Sequence, residues 1–149
     1  MRRHQAGVRV FLRRLCGDAA RADDLAQEAF LAAFDRLASY RAEASLAAWL
    51  CGIAYRKFIS DQRSAKRRRA RELAIELCAA APNNSDAALD IQAAFAALPT
   101  DQRAAAALCL LADLTHAEAA VALSIPLGTL KSRVAAAKKT LSEVLKVYR

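Results

Sequence analysis

Apolar residues recur every three to four positions along almost the whole chain, and this spacing most constrains its fold. Val8, Phe11, Leu12 and Leu15 share one face of a helix from about Arg2 to Cys16. Leu46, Leu50, Ile53, Ala54 and Phe58 share another, bordered by Trp49, and Leu130, Val134, Ala137 and Leu141 a third. No segment alternates as a strand does. Only four Gly and three Pro interrupt the 149 residues, so there are few places to turn. The chain is therefore expected to be all-α, as two small helical domains joined by a flexible linker, the second ending in a helix-turn-helix.

The breakers divide it. Gly17-Asp18 ends the first helix, and Asp18 is expected to cap a second, Ala19 to Ser39. That helix should bury Leu25, Ala29, Phe30, Ala33, Phe34 and Leu37, and expose Asp24, Gln27, Glu28, Leu31 and Asp35. Ser45 caps a long helix from Leu46 to about Ala79. Expected domains are residues 1–79 and 91–149, with 80–90, Pro- and Asn-rich, as the linker. The second unit should hold helices at 86–97, at 101–112 with Thr100 as cap, at His116 to Leu123, and from Leu127 onward.

Charge narrows the function. The net charge is +8, which calls for a polyanionic partner. The surplus is uneven: residues 1–80 carry 16 Lys/Arg against 9 Asp/Glu, and residues 81–149 carry 7 against 6. The densest run, "RSAKRRRAR" at 63–71, has six basic residues in nine, a strip able to neutralise phosphates. Tyr55 lies just upstream, off the apolar stripe, and is the better base-stacking candidate; Trp49 and Phe58 read as core. An ordinary solvated helix end is the plainer reading of the run.

In "IPLGTLKSR" at 125–133, Pro126 suits the first turn of a helix that then presents Thr129, Lys131, Ser132 and Arg133. Its outward side, Lys131, Ser132, Ala135 and Lys139, with Arg133 and Lys138 on the flanks, is small and basic. That suits a major groove better than a merely solvated face. The acidic face of the second helix would repel DNA and points to a protein partner, with Leu31 as its apolar anchor. Cys16, Cys51, Cys78 and Cys109 lack metal-ligand spacing and read as buried thiols. No catalytic constellation, cofactor motif or membrane-spanning run is present, so neither a cofactor nor a small-molecule substrate is expected, and the protein should be soluble and cytoplasmic.

Three stretches together, "DDLAQEAFLAAFDRL" (23–37), "YRAEASLAAWLCGIAYRKFISDQR" (40–63) and "ALPTDQRAAAALCLLADLTHAEAAVALSIPLGTLKSRVAAAKKTL" (97–141), resemble bacterial RNA polymerase sigma factors of the sigma-70 family, extracytoplasmic-function group. The resemblance implies a non-catalytic subunit that binds core RNA polymerase and directs it to promoter DNA under the control of an anti-sigma factor. Asp24, Gln27, Glu28 and Leu31 match the polymerase-binding helix. Tyr40, Arg41 and Ser45 fall in the loop that pockets a flipped base, and Tyr55, Arg56, Lys57, Arg63, Lys66 and Arg67 on the helix that melts and holds the downstream element. Thr129, Lys131, Ser132, Arg133, Lys138 and Lys139 belong to the upstream-element helix. This chain departs where members often carry Asn and Asp (here Arg56 and Ser60), at the usual turn Gly (Ser124), and at two reading positions (Ala135 and Ala136). The thin reading face keeps open an alternative, a sigma-like decoy that binds an anti-sigma factor without promoter recognition.

Overall fold

A computed structural model describes residues 2–72 and 86–147, and for 86–90 the backbone alone. Seven helices follow one another: α1 (Arg2–Cys16), α2 (Ala19–Asp35), α3 (Leu46–Glu72), α4 (Asp86–Ala96), α5 (Thr100–Leu110), α6 (His116–Leu123) and α7 (Leu127–Val147). No strand occurs among the described residues. The expected linker lies mostly outside them, and α4 starts at Asp86, inside the 80–90 range. The last turns expected of the third helix, 73–79, also lie outside.

The ends follow local chemistry. Gly17, at φ 70°, closes α1 in the left-handed region that glycine enters without a Cβ penalty. Its N–H reaches back to the Arg13 carbonyl at 3.0 Å. Asp18 caps α2 by accepting from the Ala20 N–H at 2.9 Å, and Ser45 caps α3 by accepting from the Ala48 N–H at 3.1 Å. Thr115 and Glu118 form a reciprocal capping box on α6. Thr100 is not a cap: it is the first residue of α5, and Pro99 precedes it without a side-chain bond. The second helix is also shorter than expected. It ends at Asp35, and Leu37–Ser39 form a separate 3-10 turn.

In the first half α1, α2 and α3 pack against one another; in the second, α7 packs against α4, α5 and α6, and α5 also against α6. Val8, Phe11, Leu12 and Leu15 are all buried, as are Leu130, Val134, Ala137 and Leu141. The helix α2 corrects the periodic reading. Its buried stripe is Ala22, Leu25, Ala26, Ala29 and Ala33, whereas Phe34 is 71% exposed and Leu37 43%. Four alanines let α2 approach α1 and α3 closely, and this leaves no room on that side for the larger ring.

The halves also meet each other. The helix α3 runs against α6, and α1 against α4 and α5. Arg103 of α5 donates to the Leu15 carbonyl at the end of α1 (3.1 Å) and to those of Ala96 and Leu98 (3.1 and 2.9 Å). One guanidinium thus satisfies carbonyls left over at two helix ends. Arg14 donates to the Gln92 side chain at 2.9 Å and lies over the Phe95 ring.

Candidate nucleic-acid and protein interfaces

Asp24, Gln27, Glu28 and Leu31 occupy one exposed face of α2. Asp23 turns aside toward Arg13, 3.8 Å away. Leu31 is 68% exposed, and Phe34 stands one turn further on, so the face holds two large apolar side chains among carboxylates. The sequence reading missed Phe34 because it assigned that ring to the core. The available signal was the alanine stripe, which already supplies α2 with a complete buried face.

The loop before α3 is internally braced. The Tyr40 hydroxyl donates to the Ala44 carbonyl at 2.6 Å, and its ring packs on Trp49 with centroids 5.1 Å apart. Arg41 is exposed beside it. The Glu118 carboxyl of α6, which accepts from the Thr115 backbone N–H at 2.8 Å, is held below the usual carboxylate range by that bond first and by the Ser45 hydroxyl second.

On α3, Arg56, Ser60, Arg63 and Arg67 follow at helical spacing and share one exposed stripe. The Arg56 Nε donates to the Gly52 carbonyl at 3.2 Å and the Arg67 Nε to that of Arg63 at 3.4 Å. Lys66 is exposed on the flank of this stripe; Lys57 is about 100° away around the helix and does not join it. Arg21 of α2 pairs with Asp61 of α3, fixing how the strip sits on the first half.

Tyr55, the base-stacking candidate, is partly covered. It is half-buried, its ring 6.4 Å from that of Phe11, and the charges of Arg133 and Asp101 lie close enough to act on its hydroxyl, which burial pushes up. Its ring packs at the junction between the halves and also borders the cleft lined by Arg56, Arg63 and Arg67.

On α7, Lys131, Ser132 and Lys139 surround the exposed Ala135, with Thr129 and Lys138 on the margins, also exposed. The Ser132 hydroxyl bonds the Gly128 carbonyl at 3.1 Å. Arg133 stands apart from this face, paired with Asp101 of α5 at 3.4 Å. Nothing lies within 4 Å of where a Gly128 Cβ would be, so the backbone there is open to close approach. Ser124, at φ 54° and ψ 45°, closes α6 in the left-handed region, and the Ile125 N–H reaches back to Ala120 at 3.0 Å. No group of three potential metal ligands occurs among the described residues, and no described helix is long and apolar enough to cross a membrane.

Residues 1–68 match the Sigma-70 region 2 family and residues 88–141 the Sigma-70, region 4 family. The ECF RNA polymerase sigma factor EcfG of Rhodopseudomonas palustris is 36% identical over 146 residues, covering 94% of this chain and 80% of that protein. The chain belongs to the sigma-70 family, in its extracytoplasmic-function group. The sigma factor SigC of Mycobacterium tuberculosis is also 36% identical, over 131 residues that cover 83% of this chain and 70% of SigC. Among solved structures, the sigma factor RpoE of Bartonella quintana, in complex with the anti-sigma factor NepR, matches with a TM-score of 0.86 at 28% identity, over 98% of this chain and 94% of that one. As a sigma factor, this chain serves the initiation of transcription by bacterial RNA polymerase at promoters. Its two family segments fall on α1–α3 and on α4–α7.

Proposed function

We propose that this sigma factor divides its work between two faces of α1–α3 and one of α7. The α2 face built from Asp24, Gln27, Glu28, Leu31 and Phe34 docks on core RNA polymerase. The loop of Tyr40, Arg41 and Ser45, with Arg56, Arg63, Lys66 and Arg67 of α3, holds the melted downstream promoter element. Lys131, Ser132, Lys138 and Lys139 of α7 grip the upstream element. Residues 1–79 and 91–149 act as the two domains. The protein works by binding, without catalysis, in the cytoplasm where the polymerase is.

The observation that carries the assignment is the segregation of charge: an acidic and apolar face on α2, well separated in sequence from the arginine strip of α3 and the lysines of α7. DNA repels the first and attracts the others. The likeness to a sigma factor solved with its anti-sigma factor supports control by such a partner here as well.

The test is a gel shift with forked promoter DNA, in the presence and absence of purified core polymerase. Glu28→Lys should lose the polymerase-dependent shift while the helical content stays. Lys131→Glu should lose protection of the upstream element alone. If both variants behave as the parent does, the assignment is wrong.

A further inference from the structure

We infer that Asp101 is a positioning residue for promoter recognition: it holds Arg133 against α5, so that one cation of α7 is matched before DNA arrives. The inference rests on the assignment of α7 to the upstream element. It gives α5, which supplies no side chain to that assignment, a part in setting how tightly the element is held.

A helix turns by about 100° per residue, so Arg133 and Lys138 fall on opposite flanks of the outward side that holds Lys131, Ser132, Ala135 and Lys139. The two flanks differ. Lys138 is exposed and joins no ion pair among the described residues. The Arg133 side chain is 29% exposed, and its Nε lies 3.4 Å from Oδ2 of Asp101.

Asp101 is set up for this contact. It sits in the first turn of α5, where the helix dipole favours a carboxylate. Its Oδ1 accepts from the Gln102 N–H at 2.9 Å, which leaves Oδ2 for Arg133. An exposed ion pair between two free side chains is worth little. Here one partner is already fixed by its own helix, so less freedom is lost when the pair forms. Both groups also act on the Tyr55 hydroxyl, which places the guanidinium beside α3 and α5 and away from the outward side. Asp101 and Arg133 belong to the same half, so their pairing does not depend on how the two halves meet.

A free cation that contacts a phosphate releases counterions from DNA; one already matched by a carboxylate adds little. The upstream grip therefore counts Lys131, Lys138 and Lys139 and leaves Arg133 out, which holds affinity for the duplex down.

The test uses the full chain and a labelled duplex of mixed sequence, about two helical turns long. Phosphate contacts carry no sequence information, so no promoter has to be known. Fluorescence anisotropy reads affinity from about 50 to 200 mM salt. Asp101→Asn keeps an oxygen for the Gln102 N–H and frees Arg133. Its slope of log affinity against log salt should steepen by about 0.9, one added phosphate contact, and at low salt it should bind about threefold tighter or more. Arg133→Gln alone should bind as the parent does, and adding it to Asp101→Asn should restore the parent's slope. Nitrogen-15 NMR gives a readout without DNA: the Arg133 Nε–H should exchange slowly in the parent and rapidly in Asp101→Asn.

A parent whose slope falls by about 0.9 with Arg133→Gln already has that guanidinium on DNA, and the inference is overturned. An unchanged slope in Asp101→Asn overturns it too. So does a gain that survives Arg133→Gln, since that is an effect of net charge alone, and so does equally fast Nε–H exchange with and without Asp101. Lys131→Gln is the control for the underlying assignment. If it changes neither affinity nor slope, the reading of α7 fails and takes the inference with it, whereas the other outcomes refute the inference alone.

Discussion

Leu31 and Phe34 stand one helical turn apart on α2, both more than two-thirds exposed, with Gln27 and Glu28 a turn before them. Large apolar side chains left in water at this density mark a contact surface. Leu31→Ala and Phe34→Ala should each weaken core polymerase binding by about 2 kcal/mol, roughly thirtyfold, as anchors in a protein interface do. Because neither is buried, each should change unfolding stability by no more than about 0.5 kcal/mol. Titration of core polymerase and urea unfolding check the two halves of this prediction. A large loss of stability for Phe34→Ala would return that ring to the core.

Ser124 occupies a left-handed conformation that costs a residue with a Cβ about 1 kcal/mol. Ser124→Gly should therefore stabilise the protein by about 0.5–1 kcal/mol, the gain being reduced by the extra freedom of glycine in the unfolded chain. The urea midpoint should rise with its slope unchanged. A fall in the midpoint would show that the hydroxyl makes a contact worth more than the strain.

Lys131 is exposed on the outward side of α7. If it neutralises one phosphate, Lys131→Gln should reduce the slope of log affinity against log salt by about 1 for duplex DNA carrying the upstream element. Affinity should fall at low salt, and preference among sequences should change little. An unchanged salt slope with altered sequence preference would mean that Lys131 contacts a base edge.

Cys51 is buried in α3, and desolvation pushes its thiol up to about 12; Cys16 is pushed to about 11. Since the thiolate is the nucleophile, alkylation of Cys51 by iodoacetamide at pH 8 should be at least about a hundredfold slower in the native protein than in urea. Peptide mapping by mass spectrometry reads this site by site. Rapid native labelling of Cys51 would mean that α3 separates from its neighbours on the labelling timescale.

How much of this was legible in the sequence depended on whether the deciding contacts were local. Val8 to Leu15 and Leu130 to Leu141 lie on faces that a 3.6-residue period marks, and both were found. The caps at Asp18 and Ser45 follow from neighbouring residues and were found too. Phe34 was misplaced because periodicity ranks a ring above alanine, whereas close helix packing favoured Ala29 and Ala33. The partial burial of Tyr55 was not legible, because the residues it packs near, Phe11 and Arg133, are distant in sequence and no local pattern shows how two halves will meet. Gly52 left a trace, a glycine inside a strong helical pattern, which signals the close approach of the Ala122 carbonyl oxygen, 3.2 Å from where its Cβ would be. The exposed charged faces of α2 and α7 were legible because their residues are written in adjacent turns.

The most direct test of the account is run-off transcription with purified core RNA polymerase over a library of bacterial promoters, comparing the parent with Glu28→Lys. The account predicts new start sites that appear only when the parent chain is added, and their loss with the variant. A folded parent chain that never starts transcription at any promoter would contradict it.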